Sequence, residues 1–310
     1  MNVLRVTSPG NTLAKWVPSW DNDTSSQSLS VECLTHENNW MDDVQQYIAT
    51  HPHTVIQYEG IRDRLPNLPP ETLVIWVIRH LTAIPRKKTH VSHFVVPSYY
   101  AREILRRKGY RAVTIQPVAE KTDVMNKVKL PAAPLTILLH PGTTTKRLLQ
   151  SIRTLNGRRY DIEWLLIDDG SHRVHTIVRA FKQMKHHVRS VKAGETGIWR
   201  QADVMVTDQH PVYSLHALHI RVIAHGIPIL TTAVGDHPES VKHWHNGFLL
   251  SPRHLASDLS YYLKQLIQEP GLIRQLRVNG CSLCEKFHSN DRVLPDWLTL
   301  YQLVERGRQR

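Results

Sequence analysis

The order of apolar and polar positions along the first part of the chain predicts short strands separated by helices. Residues 2–6, 73–78 and 93–96 are mostly apolar and predict strands. The run at 73–78 is continuously apolar, which is typical of a strand buried on both faces of a parallel sheet. A helix is predicted at 99–108, because the apolar spacing is helical there and Gly109 ends it.

The second half of the chain repeats this alternation. Residues 135–139 and 164–167 are apolar and predict strands, and helices are predicted at 147–155 and 172–184. Strands that alternate with helices in this way indicate right-handed βαβ units and a parallel sheet. The tail at 255–287 has the amphipathic pattern of a helix. The chain is therefore predicted to belong to the α/β class.

A proline-bearing stretch separates the two alternating regions. Residues 129–134 read Lys-Leu-Pro-Ala-Ala-Pro, which is typical of a linker between domains. We therefore expect a domain boundary near residue 130, and a chain of 310 residues is long enough for two domains. A final helix is predicted at 291–304.

The segment at 221–248 has the most distinctive pattern in the chain. It contains a Gly-Ile-Pro break at 226–228, a loop with Gly235 and Glu239, and Asn-Gly-Phe at 246–248. The segment resembles the donor-binding segment of GT-B glycosyltransferases of the glycosyltransferase family 4 type. The resemblance extends, more loosely, over about residues 90–305.

This resemblance implies an α/β protein of the GT-B fold, with two Rossmann-like domains facing across a cleft. Residues 1–130 would form the N-terminal, acceptor-side domain, and residues 131–290 the C-terminal domain that binds a nucleotide-sugar. Residues 291–310 would form a C-terminal helix that crosses back onto the N-terminal domain. The chain would thus carry its donor and acceptor sites on different domains.

The implied reaction is the transfer of a sugar from a nucleotide-sugar, a UDP- or GDP-sugar, to an acceptor hydroxyl. The resemblance implies retention at the anomeric carbon. No metal ion and no further cofactor would be obligatory, because helix N-termini and cationic side chains suit a diphosphate. A catalytically silent GT-B binding or partner subunit is the alternative function.

Donor-binding residues follow from the same resemblance. The family places a lysine at the position of Lys146 to contact the donor diphosphate. An ordinary capped helix with an exposed Lys-Arg pair is the alternative explanation of this lysine. Further donor contacts are expected from three loops, which comprise Gly142, Thr143 and Thr144, then Tyr213, Ser214, Leu215 and His216, and finally Gly235 and Glu239. Glu239 is equally well explained as a cap of the helix that follows it.

The acidic pair of this family is absent. The Glu-x7-Glu motif would span Tyr213 to Arg221, and neither position is acidic. Arg221 cannot accept a hydrogen bond from a ribose hydroxyl, although it could pair with a phosphate. The donor is therefore unusual, bound in a shifted way, or no longer bound. Asp208 is the acidic residue that could substitute in space.

Candidate residues also lie in the first domain. His80 follows the apolar run at 73–78 and is the predicted catalytic residue, which would orient the sugar or the acceptor. An ordinary loop histidine is the alternative. The predicted acceptor-binding or anion-binding residues are Gly10, Asn11, Arg79, Arg86, Lys87 and Lys88.

The charge of the chain favours an anionic partner. Lys and Arg outnumber Asp and Glu by 39 to 27, which gives a formal net charge of +12. Such a balance suits nucleic acid, an acidic polymer or an anionic membrane surface. DNA with a modified base is one candidate acceptor, since phosphates need basic contacts and the base would be flipped out. Peripheral membrane contact is another possibility, and solvated helix faces are the alternative without a partner.

Composition limits the cellular setting. Hydrophobic residues make up 41% of the chain, and no apolar run approaches the roughly 20 residues of a membrane span. Three cysteines, Cys33, Cys281 and Cys284, are too few for a disulfide scaffold, and the Cys-x-x-Cys pair is predicted to pack in a core. We therefore expect a cytoplasmic protein without a signal peptide.

Overall fold

The computed structural model describes residues 1–7, 30–35, 40–59, 67–78, 91–115, 134–155, 161–168, 170–192, 198–208 and 215–307. The chain divides into two compact units. The first unit comprises Met1–Glu120, Val212–Ala217 and His288–Arg310, and the second comprises Lys121–Pro211 and Leu218–Phe287. Among the described helices, none is both long enough and apolar enough to span a membrane.

The first unit is built on a six-stranded parallel sheet with the order β2-β1-β3-β4-β5-β6. Its strands are β1 (Asn2–Thr7), β2 (Ser30–Thr35), β3 (Val55–Glu59), β4 (Leu73–Val77), β5 (His93–Val96) and β6 (Val113–Ile115). Helices α1 (Trp40–Thr50) and α2 (Tyr99–Arg107) pack on it. Strand β4 is continuously apolar and almost wholly buried, and β3 is fully buried although it carries the polar residues Gln57 and Glu59.

The second unit has its own six-stranded parallel sheet, with the order β12-β11-β10-β7-β8-β9. Its strands are β7 (Leu135–Leu139), β8 (Ile162–Asp168), β9 (His187–Lys192), β10 (Val204–Thr207), β11 (Ile229–Thr232) and β12 (Gly247–Leu250). The remaining helices of the two units, of which α10 belongs to the first, are α3 (Lys146–Thr154), α4 (His172–Gln183), α5 (Ile198–Gln201), α6 (His216–Ala224), α7 (His237–Ser240), α8 (Leu255–Gln268), α9 (Pro270–His288) and α10 (Asn290–Gly307).

The core of the second unit lies between its sheet and the covering helices. Trp164 of β8 is fully buried and meets the ring of Phe181 at a centroid distance of 5.1 Å. Cys281 and Cys284 are buried free thiols, whose Sγ atoms approach the backbone carbonyl oxygens of Ile223 and Ile220. The prediction that this cysteine pair packs in a core is confirmed.

The amphipathic tail is helical, as predicted, and it forms two helices, α8 and α9. Helix α8 ends at Gln268, and α9 begins at Pro270. Proline has no backbone N–H to continue a helix but is well suited to the first position of a new one. The chain therefore turns at Glu269 although the apolar spacing continues across it.

A buried polar network connects helix α10 to the sheet of the first unit. Tyr301 donates a hydrogen bond to the side-chain oxygen of Gln57, and Gln57 donates to Glu59. Glu59 also forms a two-point ion pair with Arg5, whose Nη2–Oε2 distance is 2.9 Å. Tyr301, Gln57 and Glu59 are at most 1% exposed, so the network lies in the interior of this unit.

Candidate functional site

The strand order of the second unit indicates where a ligand would bind. From β7 the chain continues to β8 and β9 on one side, and it then crosses to β10 on the other side of β7. The strand order therefore reverses between β7 and β10. In open parallel sheets, ligands bind outside the carboxyl ends of the strands at such a reversal. The segments that follow β7, β10 and β11 therefore form the candidate site.

Side-chain hydrogen bonds join these three segments. Asp208, directly after β10, accepts a hydrogen bond from the hydroxyl of Thr145, which follows β7. The second carboxylate oxygen of Asp208 accepts from Thr232, the last residue of β11, at 3.1 Å. Asp208 is only 5% exposed, and hydroxyl donors are what a buried carboxylate requires. The carboxylate thus fixes the three strand ends relative to one another.

The loop after β7 is held by its own hydrogen bonds. His140 accepts the backbone N–H of Gly142 at Nδ1, at 3.1 Å, and its carbonyl oxygen accepts the hydroxyls of Thr143 and Thr144. A Cβ atom at position 142 would lie 3.1 Å from Nδ1 of His140, so glycine allows this close approach. The hydroxyl protons of Thr143 and Thr144 point into the loop, and the loop is consequently rigid.

Helix α3 begins directly after this loop. Thr145 is its N-cap and accepts the backbone N–H of Leu148 at 3.1 Å. Lys146 is the first helical residue, and its side chain is exposed. Backbone N–H groups of the first turn lack partners within the helix and carry the positive end of its dipole. The helix dipole therefore supplies a fixed positive charge at this point, and the side chain of Lys146 adds a mobile one.

The segment after β11 completes the candidate site. Gly235 has φ +60°, a left-handed conformation that glycine adopts at little cost. Asp236 is the N-cap position of the short helix α7, and Glu239 lies in the first turn of that helix. Gly235 and Glu239 thus follow the carboxyl end of β11, on the same edge of the sheet as Lys146.

Two buried histidines lie below this edge, and neither was singled out from the sequence. His219 of α6 and His237 of α7 are both 0% exposed, and their ring centroids are 4.9 Å apart. His219 bonds to the hydroxyls of Thr207 and Ser240, at 3.1 and 2.9 Å. In the sequence, only the helical position of His219 and a nearby hydroxyl-rich strand could have indicated that this histidine is buried and hydrogen-bonded. Both signals are weak.

The hydrogen bonds of His237 assign its tautomer. Nδ1 lies 2.9 Å from the carbonyl oxygen of Thr232, which can only accept, and 2.7 Å from the hydroxyl of Thr231, which can accept as well. A proton on Nδ1 satisfies both contacts, so Nδ1 carries the proton. Nε2 has no hydrogen-bond partner among the described residues. Burial lowers the pKa of His237 below its usual value of 6.5, although the Asp236 carboxylate, the Thr232 carbonyl and the Asp208 carboxylate act in the opposite direction. His237 is therefore held neutral.

We expect the protein to lose stability as the pH falls below about 6.5. The unfolded chain takes up a proton at His237 near its usual pKa, whereas the native state takes it up only at lower pH. Melting temperatures should therefore fall between pH 7 and pH 5, and His237→Ile should reduce this pH dependence. His245→Asn, which changes an exposed histidine of the same unit, is the control. An unchanged pH dependence in His237→Ile would contradict the assignment.

Arg221 does not join Lys146 and Asp208. It lies in α6, and its guanidinium carbon is 5.7 Å from the ring centroid of Trp199. The Trp199 ring also contacts His225, at a centroid distance of 5.2 Å. The residue at the second position of the missing acidic pair is thus part of a cationic and aromatic group.

Leu215 and His216 belong to the first unit. The imidazole of His216 lies 6.2 Å from that of His288, measured between ring centroids, and both residues are largely buried. The predicted residues Gly10, Asn11, Arg79, His80, Arg86, Lys87, Lys88, Tyr213 and Ser214 lie outside the described residues. The described donor candidates that share one edge are therefore Gly142, Thr143, Thr144, Lys146, Gly235 and Glu239.

Comparison of the whole structure with solved structures identifies the architecture. HepE of Anabaena, in complex with UDP-glucose, matches with a TM-score of 0.68 and 10% identity over 99% of both chains. A glycosyltransferase from Rickettsia africae matches with a TM-score of 0.66 and 12% identity over 98% of both chains. The chain has the GT-B fold.

Another GT-B structure extends this set. The pneumococcal O-GlcNAc transferase GtfA, in complex with UDP and GlcNAc, matches with a TM-score of 0.65 and 12% identity. The match covers 86% of this chain and 60% of GtfA. By sequence, no protein family and no curated protein matches the chain. The GT-B likeness therefore rests on the arrangement of its strands and helices.

Proposed function

We propose that the protein is a glycosyltransferase that moves a sugar from a UDP-sugar to an acceptor hydroxyl. The observation that carries the proposal is the start of α3, where Lys146 and the amides of the first helical turn lie at the reversal of the strand order. Of the similar structures, HepE is bound to UDP or UDP-glucose and GtfA to UDP and GlcNAc. A uridine diphosphate donor is therefore the substrate class to test first.

The chemistry of the proposed reaction needs positive charge next to the leaving group. The bond between the anomeric carbon and the diphosphate oxygen breaks, and the diphosphate keeps the electron pair. The acceptor oxygen bonds to the anomeric carbon, and its proton passes to the departing diphosphate. Lys146 and the amides of α3 offset the developing negative charge, because they are already oriented before the reaction. A cationic site of this kind suits a metal-independent transfer, and retention at the anomeric carbon is proposed from the resemblance of 221–248 alone.

Asp208 supplies the acidic group that positions 213 and 221 lack. Its carboxylate lies next to the cap of α3 and is fixed by Thr145 and Thr232. A carboxylate there can accept hydrogen bonds from hydroxyl groups of the donor, which an arginine cannot do. The Arg221 group lies away from this site. Trp199 precedes the amino end of β10 and His225 precedes the amino end of β11, whereas Lys146 follows the carboxyl end of β7.

The acceptor is proposed to be anionic. The chain carries a net charge of +12. The end of helix α2 in the first unit exposes Arg106 and Arg107, and its C-cap residue Lys108 is exposed as well. One of these, Arg107, pairs with Glu103 at 3.2 Å, so the surface keeps an excess of positive charge. DNA, a phosphorylated polymer and an anionic lipid share the chemistry that would bind there. A panel of these acceptors, assayed at low and high salt, distinguishes them.

We expect UDP and UDP-glucose to raise the melting temperature of the protein. A ligand at a hundred times its Kd stabilises the native state by about 2.7 kcal/mol, which corresponds to several degrees. GDP-glucose and UMP serve as comparison ligands for the base and the diphosphate. Hydrolysis or transfer of the sugar should then follow in a screen that includes the acceptor panel.

The alternative of a catalytically silent GT-B subunit makes the opposite prediction. If no nucleotide or nucleotide-sugar shifts the melting temperature and no sugar is released, the protein has kept the fold without the donor site. Binding of UDP without hydrolysis or transfer would equally count against an enzyme. Only binding and turnover together support the proposed activity.

A further inference from the structure

An exposed group of aromatic and basic side chains lies elsewhere on the second unit. Residues 242–245 read Lys-His-Trp-His, and all four are exposed. Trp244 is 47% exposed, and Tyr261 of α8 is 53% exposed. We define the aromatic patch as His243, Trp244, Phe248, Tyr261 and Tyr262. The patch is distinct from the candidate donor site, because residues 242–245 precede the amino end of β12, whereas Lys146 follows the carboxyl end of β7.

The rings of the aromatic patch support one another. Phe248 and Tyr262 stack with a centroid distance of 4.4 Å and an interplanar angle of 18°. Trp244 stands nearly perpendicular to Phe248, at 4.9 Å and 88°. Tyr261 contacts the edge of Tyr262 at 5.1 Å. The two exposed rings, Trp244 and Tyr261, therefore pack against the rings of Phe248 and Tyr262, which fix their orientation.

Trp244 occupies a backbone conformation that a bulky residue rarely adopts. Its φ is +64°, in the left-handed region that favours glycine. The loop holds this conformation through the side chain of Asn246, which accepts from the Lys242 N–H at 2.7 Å and donates to the Ser240 carbonyl at 3.0 Å. A tryptophan at such a position costs backbone strain, and about half of its surface remains open to solvent. Strain of this kind is typical of binding sites.

The surroundings of the aromatic patch determine what could bind it. Lys242, Arg253 and Lys264 are exposed, and the ammonium of Lys242 donates one hydrogen bond, at 2.8 Å, to the carbonyl oxygen of Pro238. The carboxylate of Asp258 accepts the Ser251 N–H at 2.7 Å. Between residues 240 and 268, all of which are described, no aliphatic side chain is exposed. A lipid-inserting surface would present leucine or phenylalanine beside its tryptophan. A polar, negatively charged ligand with flat faces fits these side chains better.

We propose that the aromatic patch binds an acidic oligosaccharide. The C–H face of a sugar ring packs on the electron-rich faces of Trp244 and Tyr261, because those faces attract positively polarised hydrogens. Sulfate or carboxylate groups of the oligosaccharide pair with the exposed cations Lys242, Arg253 and Lys264. This inference is independent of the proposed donor site, since none of its residues takes part in the patch.

The test measures binding of a heparin-derived hexasaccharide by calorimetry at low salt, with the neutral maltohexaose for comparison. The acidic hexasaccharide should bind more tightly, and Trp244→Ala should weaken its binding about tenfold, as removal of a central aromatic contact does. Tyr261→Ala should weaken it as well and serves as the second variant. Phe287→Ala is the matched control, since Phe287 is an aromatic residue of similar exposure, 49%, that also lies beside a lysine.

Three outcomes would overturn the inference. The first is equal affinity of the wild-type protein and both variants for the acidic hexasaccharide. The second is the absence of any binding to it by the wild-type protein. The third is Trp244-dependent binding to phosphatidylserine vesicles or single-stranded DNA in place of the hexasaccharide. The melting response to UDP is measured on the same variants and should not change, so failure of the donor site remains distinguishable.

Discussion

Replacing Lys146 with glutamine should lower kcat/KM for sugar transfer about a hundredfold and leave the fold intact. Loss of one group that stabilises developing charge typically has this effect. Lys146 is exposed at the first position of α3, so its removal leaves no cavity and no buried charge. Steady-state kinetics with UDP-glucose and a thermal melt of the same preparation check both parts of this prediction.

Arg147→Gln is the matched control for this experiment. Arg147 is the next residue on the same helix, is also exposed, and carries the same charge. Successive helical positions point about 100° apart, so only one of the two side chains can face a ligand at the helix start. Equal losses in the two variants would indicate a general effect of surface charge and would contradict a specific role for Lys146.

The fold was predictable from the sequence because both sheets are parallel. A strand buried on both faces is typically a near-continuous apolar run, as at 73–78 and, except for Thr136, at 135–139, and such runs stand out between helices. The run at 93–96 likewise coincides with β5. Helix bounds were less secure, since the apolar spacing of 255–287 continues across a turn that only Pro270 reveals.

The candidate site was only partly predictable, because its contacts join segments that are distant along the chain. The position of Lys146 after an apolar strand was readable, but the bond from Thr145 to Asp208 spans 63 residues. Asp208 follows a short strand with no local signal of burial. The pairing of His219 with His237 likewise depends on how α6 and α7 pack. Sequence patterns specify the strand ends, and tertiary packing decides which side chains meet there.

Replacing Glu59 with glutamine should lower the free energy of unfolding by about 3–5 kcal/mol, the usual cost of removing one partner from a buried ion pair. Burial acts to lower the pKa of Arg5, but Glu59 outweighs it and the pKa is raised, so the guanidinium stays charged in the interior. Without the carboxylate, that charge is left uncompensated, and the bond between Gln57 and Tyr301 of α10 loses its neighbour. Urea denaturation of the two proteins measures the difference.

Two further variants separate the buried charge from a general loss of polar contacts. Glu163→Gln breaks the pair with Arg189, whose side chains are 31% and 49% exposed, and should cost no more than about 1 kcal/mol. The double variant Arg5→Met, Glu59→Leu removes both charges and should be more stable than Glu59→Gln alone, because no buried charge remains unpaired. A double variant less stable than the single one would mean that this network stabilises the first unit through its geometry, with the charge itself secondary.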